Sequence, residues 1–287
     1  MPQNEAPIYI VTGATGAIGQ EIAKALARQG HAVLLACRNT AKAGALKELI
    51  LSTREHGEVM VEELRLDSME SISRFAASVT ALNRPVAALV NNAGVMCRHR
   101  SLTADGIEQT IAVNYLGTAL LSLLLLPTVA SGGRIAFTTS ITRRLHSLKE
   151  PVLDEPDGSF SQLGTYGRSK LALTHFALYL AGLPAVAEKG VKVNCADPGI
   201  VNSAMITMNR WFDPLANLLF RPFISTPATG ARAMLRAVES GTTAQIYKPK
   251  GKPLPIAADL KSGDTVLRSA LMARTMSLLS QYGLATR

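Results

Sequence analysis

A chain of 287 residues, 47 % apolar and 18 % charged, is long enough for one large domain or two small ones and apolar enough for a substantial core. Its formal charge of +9 invites an anionic partner, but no Lys/Arg run exceeds two residues and no recognition-helix or aromatic-interleaved basic motif occurs, so nucleic acid is not expected. Cys37, Cys97 and Cys195 lie far apart and the five histidines show no ligand pairing, which predicts free thiols in a reducing cytoplasm and no metal centre.

The first seven residues are polar and carry no secretory pattern. Residues 8–11 form a short apolar run of the kind expected of a buried parallel strand. The turn Thr12-Gly13-Ala14-Thr15-Gly16-Ala17-Ile18-Gly19 follows, and Ile18, Ile22, Ala25 and Leu26 then recur at helical spacing up to a stop at Gly30. Residues 32–37 read as a second strand, 41–56 as its helix, and 59–66, alternating apolar with acidic residues, as a half-exposed third strand. A helix over 68–82 has Asp67 and Ser68 as cap candidates. Strand 86–90, a long helix over about 105–129, strand 134–139, helix 166–186 and strand 191–196 complete the alternation. Its longest apolar run, 119–126 with Ser122 inside it, is too short to span a bilayer and reads as a buried or subunit-facing helix. Repeated strand then helix predicts an α/β fold, a doubly wound parallel sheet in a single domain over 1–287.

Strand, glycine turn and helix form the arrangement that binds a dinucleotide pyrophosphate. Glycines let the backbone approach the phosphates, and the helix N-terminus offers unpaired N–H groups and a positive dipole end. A purely structural turn is the alternative. Further along, Tyr166 and Lys170 stand four residues apart, so a helix places them on one face. A nearby ammonium favours phenolate over phenol, which would lower the tyrosine pKa and fit Tyr166 for proton transfer. No Gly-x-Ser-x-Gly elbow is present, which sets aside a serine hydrolase.

The glycine turn, Asp67, Asn91-Asn92-Ala93-Gly94, Asn114, Ser140, Tyr166 with Lys170, and Pro198-Gly199 occur in an order that resembles the short-chain dehydrogenase/reductase family over nearly the whole chain. The stretch between Ser140 and Tyr166 and the Ile246-Tyr247 segment are most similar to the retinol-dehydrogenase-like members of its compact branch. Ala17 departs from the compact pattern, and the resulting glycine spacing is similar to that of the extended epimerase and dehydratase branch. The modest length and the Asn-Asn-Ala-Gly segment favour the compact branch.

The resemblance implies a Rossmann-type three-layer α/β/α sandwich and an oxidoreductase moving hydride between a nicotinamide and a carbonyl/alcohol pair. It assigns catalysis to Asn114, Ser140, Tyr166 and Lys170. It assigns dinucleotide contacts to Gly13, Thr15, Gly16, Ala17, Ile18, Gly19, Arg38, Asp67, Asn92, Ala93, Gly94, Tyr166, Lys170, Pro198, Gly199, Val201 and Ser203. Within that assignment Ser140 would hold the substrate oxygen, Tyr166 exchange its proton, and Lys170 lower the Tyr166 pKa. Asn114 would hold a water near Lys170, unless it is a helix-interior asparagine bonding locally. Arg38 cannot accept from ribose hydroxyls but can pair with a 2′-phosphate, so NADP is expected over NAD, unless Arg38 is simply solvated. Asp67 would contact the adenine, cap a helix, or both; Asn92 would touch the cofactor or merely shape a turn.

A substrate-covering segment over 200–226 holds Met205, Met208, Trp211, Phe212, Leu215, Leu218, Leu219, Phe220 and Phe223. It suits a bulky apolar carbonyl or alcohol. Packing on the core or on a second copy is the alternative. Peripheral membrane contact, with Arg210 and Arg221 flanking the run, ranks below both. A C-terminal extension over 245–287 and a homo-oligomer complete the expectation. A non-catalytic dinucleotide-binding sensor and an epimerase or dehydratase holding NAD are the competing readings.

Overall fold

The computed structural model describes residues 6–53, 56–149, 160–199, 225–261 and 264–282. Seven strands run parallel: β1 Ile8–Thr12, β2 Ala32–Cys37, β3 Val59–Glu63, β4 Val86–Asn91, β5 Val129–Thr138, β6 Lys192–Ala196 and β7 Gln245–Tyr247. An eighth, β8 Leu254–Pro255, adds antiparallel to β7, giving the order β3-β2-β1-β4-β5-β6-β7-β8. β2 is buried on both faces, as its unbroken Ala-Val-Leu-Leu-Ala-Cys sequence requires. The acidic residues of Val-Met-Val-Glu-Glu belong instead to the sheet edge.

Helices cover both faces. Against one lie α1 Ala17–Arg28, α2 Thr40–Leu51 and, past residue 225, α7 Pro227–Glu239. Ile22, Leu26, Leu46 and Met234 seal them to Val11, Val33 and Leu35. The other face carries α3 Met69–Ala81, α4 Gln109–Thr128, α5 Gln162–Ala181 and the C-terminal α9 Asp264–Leu279, packed on Ile8, Ile10, Leu34 and Ile135. Short helices α6 Pro184–Glu188 and α8 Ile256–Asp259 complete the set. The expected three-layer, doubly wound single domain is what forms. Strand order reverses direction between β1 and β4, which opens a crevice at their carboxyl ends.

Several element limits differ from the sequence reading, each for a local reason. The second helix stops at Leu51 because Ser52 and Thr53 turn their hydroxyls back onto Leu49 O and Ile50 O, at 2.8 and 2.7 Å. The helix carrying Tyr166 starts earlier, where Ser161 accepts from Gly164 N, and ends at Ala181. The third strand ends at Glu63, after which Ser71 of α3 captures Arg65 N.

α4 starts at Gln109, later than expected, with Glu108 accepting from Ile111 N at 2.8 Å. Its Ala112–Leu116 stretch is wound as a π-turn. The whole helix spans 20 residues and is apolar enough to cross a bilayer by length and composition, which corrects the expectation drawn from the 119–126 run alone. Yet 78 % of that window is buried inside the protein, and Ala119, Leu120, Leu121, Ser122 and Leu125 are fully buried within one chain. The chain itself therefore covers most of the run, leaving Leu123, Leu124 and Leu126 partly exposed. α9 helps: Leu271, Met272 and Leu279 join the same core, and Thr275 shares a 2.5 Å hydrogen bond with Tyr115 of α4.

α4 can lie this close only because of Gly117. A Cβ there would stand 2.2 Å from Leu66 O, a backbone atom that cannot yield. Gly117→Ala should lower unfolding stability by about 2 kcal/mol, a melting-temperature fall of roughly 4–8 °C. At Gly44 in α2 nothing lies within 4 Å, so Gly44→Ala should raise stability by about 0.5–1 kcal/mol. Denaturant melts of both variants check the contrast.

Candidate active site

The carboxyl ends of β1, β4, β5 and β6 meet at one edge of the sheet, and the residues singled out above gather there. Gly13 leaves β1 with φ 62°, donating its N–H to Ala36 O at 2.9 Å. A Cβ on Gly13 would stand 2.8 Å from Ala93 Cα, and one on Gly19 would stand 2.2 Å from Gly13 O. Both glycines are fixed by backbone-to-backbone approach. Thr15 hydrogen-bonds Cys37 at the end of β2, Gly16 precedes α1 in extended conformation, and Ala17 is the first helical residue.

The first backward hydrogen bond of α1 is Gln20 N to Gly16 O, which leaves the N–H groups of Ala17, Ile18 and Gly19 at the open helix end. Here α1 has no side-chain cap and no acidic residue in its first turn, whereas Asn39, Ser68, Ser161 and Thr226 cap α2, α3, α5 and α7. An uncapped helix end behind a glycine turn fits a dinucleotide pyrophosphate.

Asn92 is committed elsewhere: its Nδ2 donates to Thr12 O at 3.0 Å and Gly13 O at 3.4 Å. Ala93 N donates to Thr12 Oγ1 at 3.1 Å. Together they lock the exit of β4 onto the glycine turn, so the turn-shaping alternative describes the Asn92 side chain.

On α5, Tyr166 is half-buried and Lys170, one turn on, is 1 % exposed. The Lys170 ammonium donates to Thr138 O at 2.8 Å and stands 5.8 Å from the centre of the Tyr166 ring. A Cβ on Gly94 would reach within 3.3 Å of that ammonium and 3.4 Å of Asn114 Oδ1, so the loop after β4 forms its wall. Asn114, in the π-turn, accepts from Val95 N at 2.7 Å and donates to Val95 O at 2.8 Å and Ser169 Oγ at 3.0 Å. It bonds across to two other segments rather than locally, clamping the β4 loop to α5. Ser140 follows β5 in extended conformation, hydrogen-bonded to Tyr166 and accepting from Thr142 Oγ1 at 3.0 Å. Thr139 points the other way, as strand alternation demands, into a 2.8 Å bond with Thr174.

Burial pushes the Tyr166 phenol up to about 12; the Ser140 hydrogen bond works against this and the Asp197 charge adds to it. Burial also brings Lys170 down to about 8. The expected depression of the Tyr166 pKa is therefore not what these side chains produce by themselves, because desolvation of the phenolate is the largest influence and the lowering contribution comes from Ser140 rather than from Lys170. At neutral pH Tyr166 is a phenol, equipped to donate.

Arg38 is exposed on the bend after β2. Asp67 accepts from Gln109 Nε2 at 3.0 Å and pairs with Arg65 at 3.5 Å; the cap of α3 is Ser68, not Asp67. After β6, Asp197 Oδ1 accepts from Gly199 N at 3.2 Å, shaping the Pro198-Gly199 turn. Val201, Ser203 and nearly all of the 200–226 segment lie outside the described residues.

Sequence reasoning missed one cluster. Arg143, 1 % exposed, donates to Ser140 O at 2.6 Å, Asp197 Oδ2 at 2.8 Å and Asp259 Oδ2 at 2.6 Å. Arg144 adds a 2.7 Å bond to Asp259 Oδ1. Burial raises the Asp259 pKa, but the two guanidinium groups outweigh it and hold the carboxyl below its ordinary range. Stranding either carboxylate would cost about 3–5 kcal/mol. Adjacent arginines after Ser140 are the only sequence signal, and nothing local distinguishes them from surface charge. Among the described residues no group of three or more His, Cys, Asp or Glu could hold a metal ion.

The short chain dehydrogenase family model matches residues 7–211. The chain is 37 % identical to mouse polyprenol dehydrogenase over 219 residues, 74 % of this chain and 64 % of that protein. It is 34 % identical to human retinol dehydrogenase 12 over 231 residues, 79 % of this chain and 72 % of that one. The chain thus spans roughly two thirds of the length of these relatives. Among solved structures, an uncharacterized protein from Mycobacterium paratuberculosis superposes with TM-score 0.74 at 27 % identity, covering 96 % of each chain. A Burkholderia cenocepacia short chain dehydrogenase in complex with NADP has TM-score 0.67 at 21 % identity, covering 86 % of this chain and 97 % of that one, and shares the fold.

The Lys170 ammonium has a measurable signature. Its folded pKa is about 8 against an ordinary 10.5, so the unfolded chain binds the extra proton between those values and stability must rise with pH across that window. Unfolding free energies from pH 8 to 10.5 should show wild type gaining on Lys170→Met, by about 3 kcal/mol at most. A flat difference would show that the ammonium is not desolvated.

Proposed function

Since the chain belongs to the short-chain dehydrogenase family, and is thus a nicotinamide-dependent oxidoreductase of alcohols and carbonyls, we propose that it uses NADP on a bulky apolar substrate. The carrying observation is the Ser140–Tyr166–Lys170 group, set at the carboxyl edge of the sheet beside an uncapped, glycine-lined helix end. When bound, the nicotinamide supplies or accepts the hydride. Tyr166 gives its proton to the carbonyl oxygen, or takes the hydroxyl proton in the reverse direction, and Ser140 holds that oxygen. Gly94, Thr138 and Asn114 keep the Lys170 head at the floor of the site.

Arg38 supports NADP over NAD, since it stands on the exposed bend after β2, where it can take a 2′-phosphate. An apolar substrate is supported by Ile141, Leu145 and Leu163, which flank Ser140 and Tyr166 and are 49 %, 68 % and 41 % exposed. Relatives named for polyprenol and retinol point the same way. A cytoplasmic location and a homo-oligomer belong to the same proposal. The assembly rests on the family resemblance, because most of the 119–126 run is already covered within the chain and only Leu123, Leu124 and Leu126 stay partly exposed.

Tyr166→Phe should lower kcat with a long-chain aldehyde and NADPH by about 10²- to 10⁴-fold, with NADPH affinity unchanged. Equal rates in the two proteins would refute the role. Titrating each reduced cofactor should give a Kd for NADPH about 10- to 100-fold below that for NADH, a preference mostly erased in Arg38→Ala. Tighter NADH binding would reverse the assignment.

A further inference from the structure

Resting on the oxidoreductase reading above, we propose that Arg143 is a positioning residue for the reaction: one guanidinium fastens the Ser140 loop to the Pro198-Gly199 turn and to α8, and so sets where the Ser140 hydroxyl stands against Tyr166. Its three bonds reach segments 54 and 116 residues away, at Asp197 and Asp259. The third reaches Ser140 O, within the turn Ile141–Leu145 that Ser140 itself caps. Asp197 splits its carboxylate, Oδ2 to Arg143 and Oδ1 to Gly199 N. The same fork thereby ties the Ser140 loop to the turn that leads out of β6.

A structural role alone explains this poorly. Buried ion pairs are weak stabilisers, and an apolar cluster of like volume serves as well. What such a cluster cannot supply is the bidirectional geometry of a planar fork. The side chains of Arg143, Asp197 and Asp259 are 1 %, 4 % and 0 % exposed, so the geometry is held without water.

Charge gives a second handle. Asp197 acts on Tyr166, raising its pKa, and Arg143 pairs with Asp197. Among the described residues, the charged and titratable groups around the start of α5 include Arg168 and Lys170 on the helix itself, Arg143, Arg144, His146 and Lys149 after β5, Cys195 and Asp197 at the end of β6, and Asp259 with Lys261 at α8. His146 packs against Gly167, and burial leads Arg168, Lys261 and Lys149 in lowering its pKa. Removing one carboxylate from this set leaves surplus positive charge, which favours the phenolate and moves the Tyr166 titration to lower pH.

Arg143→Met would strand two buried carboxylates and is the variant least able to fold, so the test uses Arg143→Lys and Asp259→Asn in the full chain. Decanal with NADPH and decanol with NADP are the probes, with Tyr166→Phe run alongside. Arg143→Lys keeps the charge and loses the fork: kcat should fall by about tenfold or more, while KM for NADPH and the pH limb stay put. Asp259→Asn should move the rising limb of decanol oxidation to lower pH by about half a unit. A Tyr166-dependent rate with wild-type kcat and an unmoved limb in both variants would overturn the role of Arg143 alone. Equal rates in wild type and Tyr166→Phe would overturn the proton-transfer reading and this inference with it.

Discussion

A lysine ammonium held almost wholly out of water must be given its surroundings by the fold, and the arrangement around Lys170 is what the rest of the site depends on. Its head meets the Thr138 carbonyl at the end of β5, the Gly94 loop after β4, and Tyr166 one turn back on its own helix. Each comes from a different element, so the ammonium can be placed only where the sheet ends and α5 passes beneath. Desolvation is costly for the charged form. The lowered Lys170 pKa is the mark of that cost.

The topology supplies the meeting point. Reversal of strand order between β1 and β4 parts the crossovers, and the glycine turn and the Asn92–Gly94 loop line the gap. Close backbone approach at Gly13 and Gly19, and Gly94 facing the Lys170 and Asn114 side chains, hold these loops within one small volume. Asn114 then joins the β4 loop to α5, and the π-turn in α4 lets its amide face Val95 and Ser169 together.

Much of this is legible in the sequence, and what is not has a physical explanation. Gly13 to Gly19 and Tyr166 with Lys170 are local patterns: each arrangement lies in residues a few positions apart, so spacing reveals it. The alternation of strands and helices is equally readable, because burial of β2 on both faces leaves an unbroken apolar run. Arg143, Asp197 and Asp259 leave no such trace, since they meet only when segments more than fifty residues apart fold together. The clamp at Asn114 is hidden in the same way. For Tyr166 the sequence suggests the wrong sign of pKa shift, because an i,i+4 neighbour is visible in sequence and desolvation is not. The chain past residue 225 reads as cover and extension, yet Thr226-Pro227 opens the capped helix α7, Ile246-Tyr247 completes the sheet, and α9 seals α4.

Convergence of three groups is the central requirement. In a crystal of this protein grown with NADP, the distances from nicotinamide C4, Tyr166 Oη and Ser140 Oγ should define one point, about 3 Å from both hydroxyls and about 3.5 Å from C4, where a carbonyl can sit. A nicotinamide ring bound away from α5, or a Tyr166 ring turned out of the crevice with the dinucleotide in place, would contradict it.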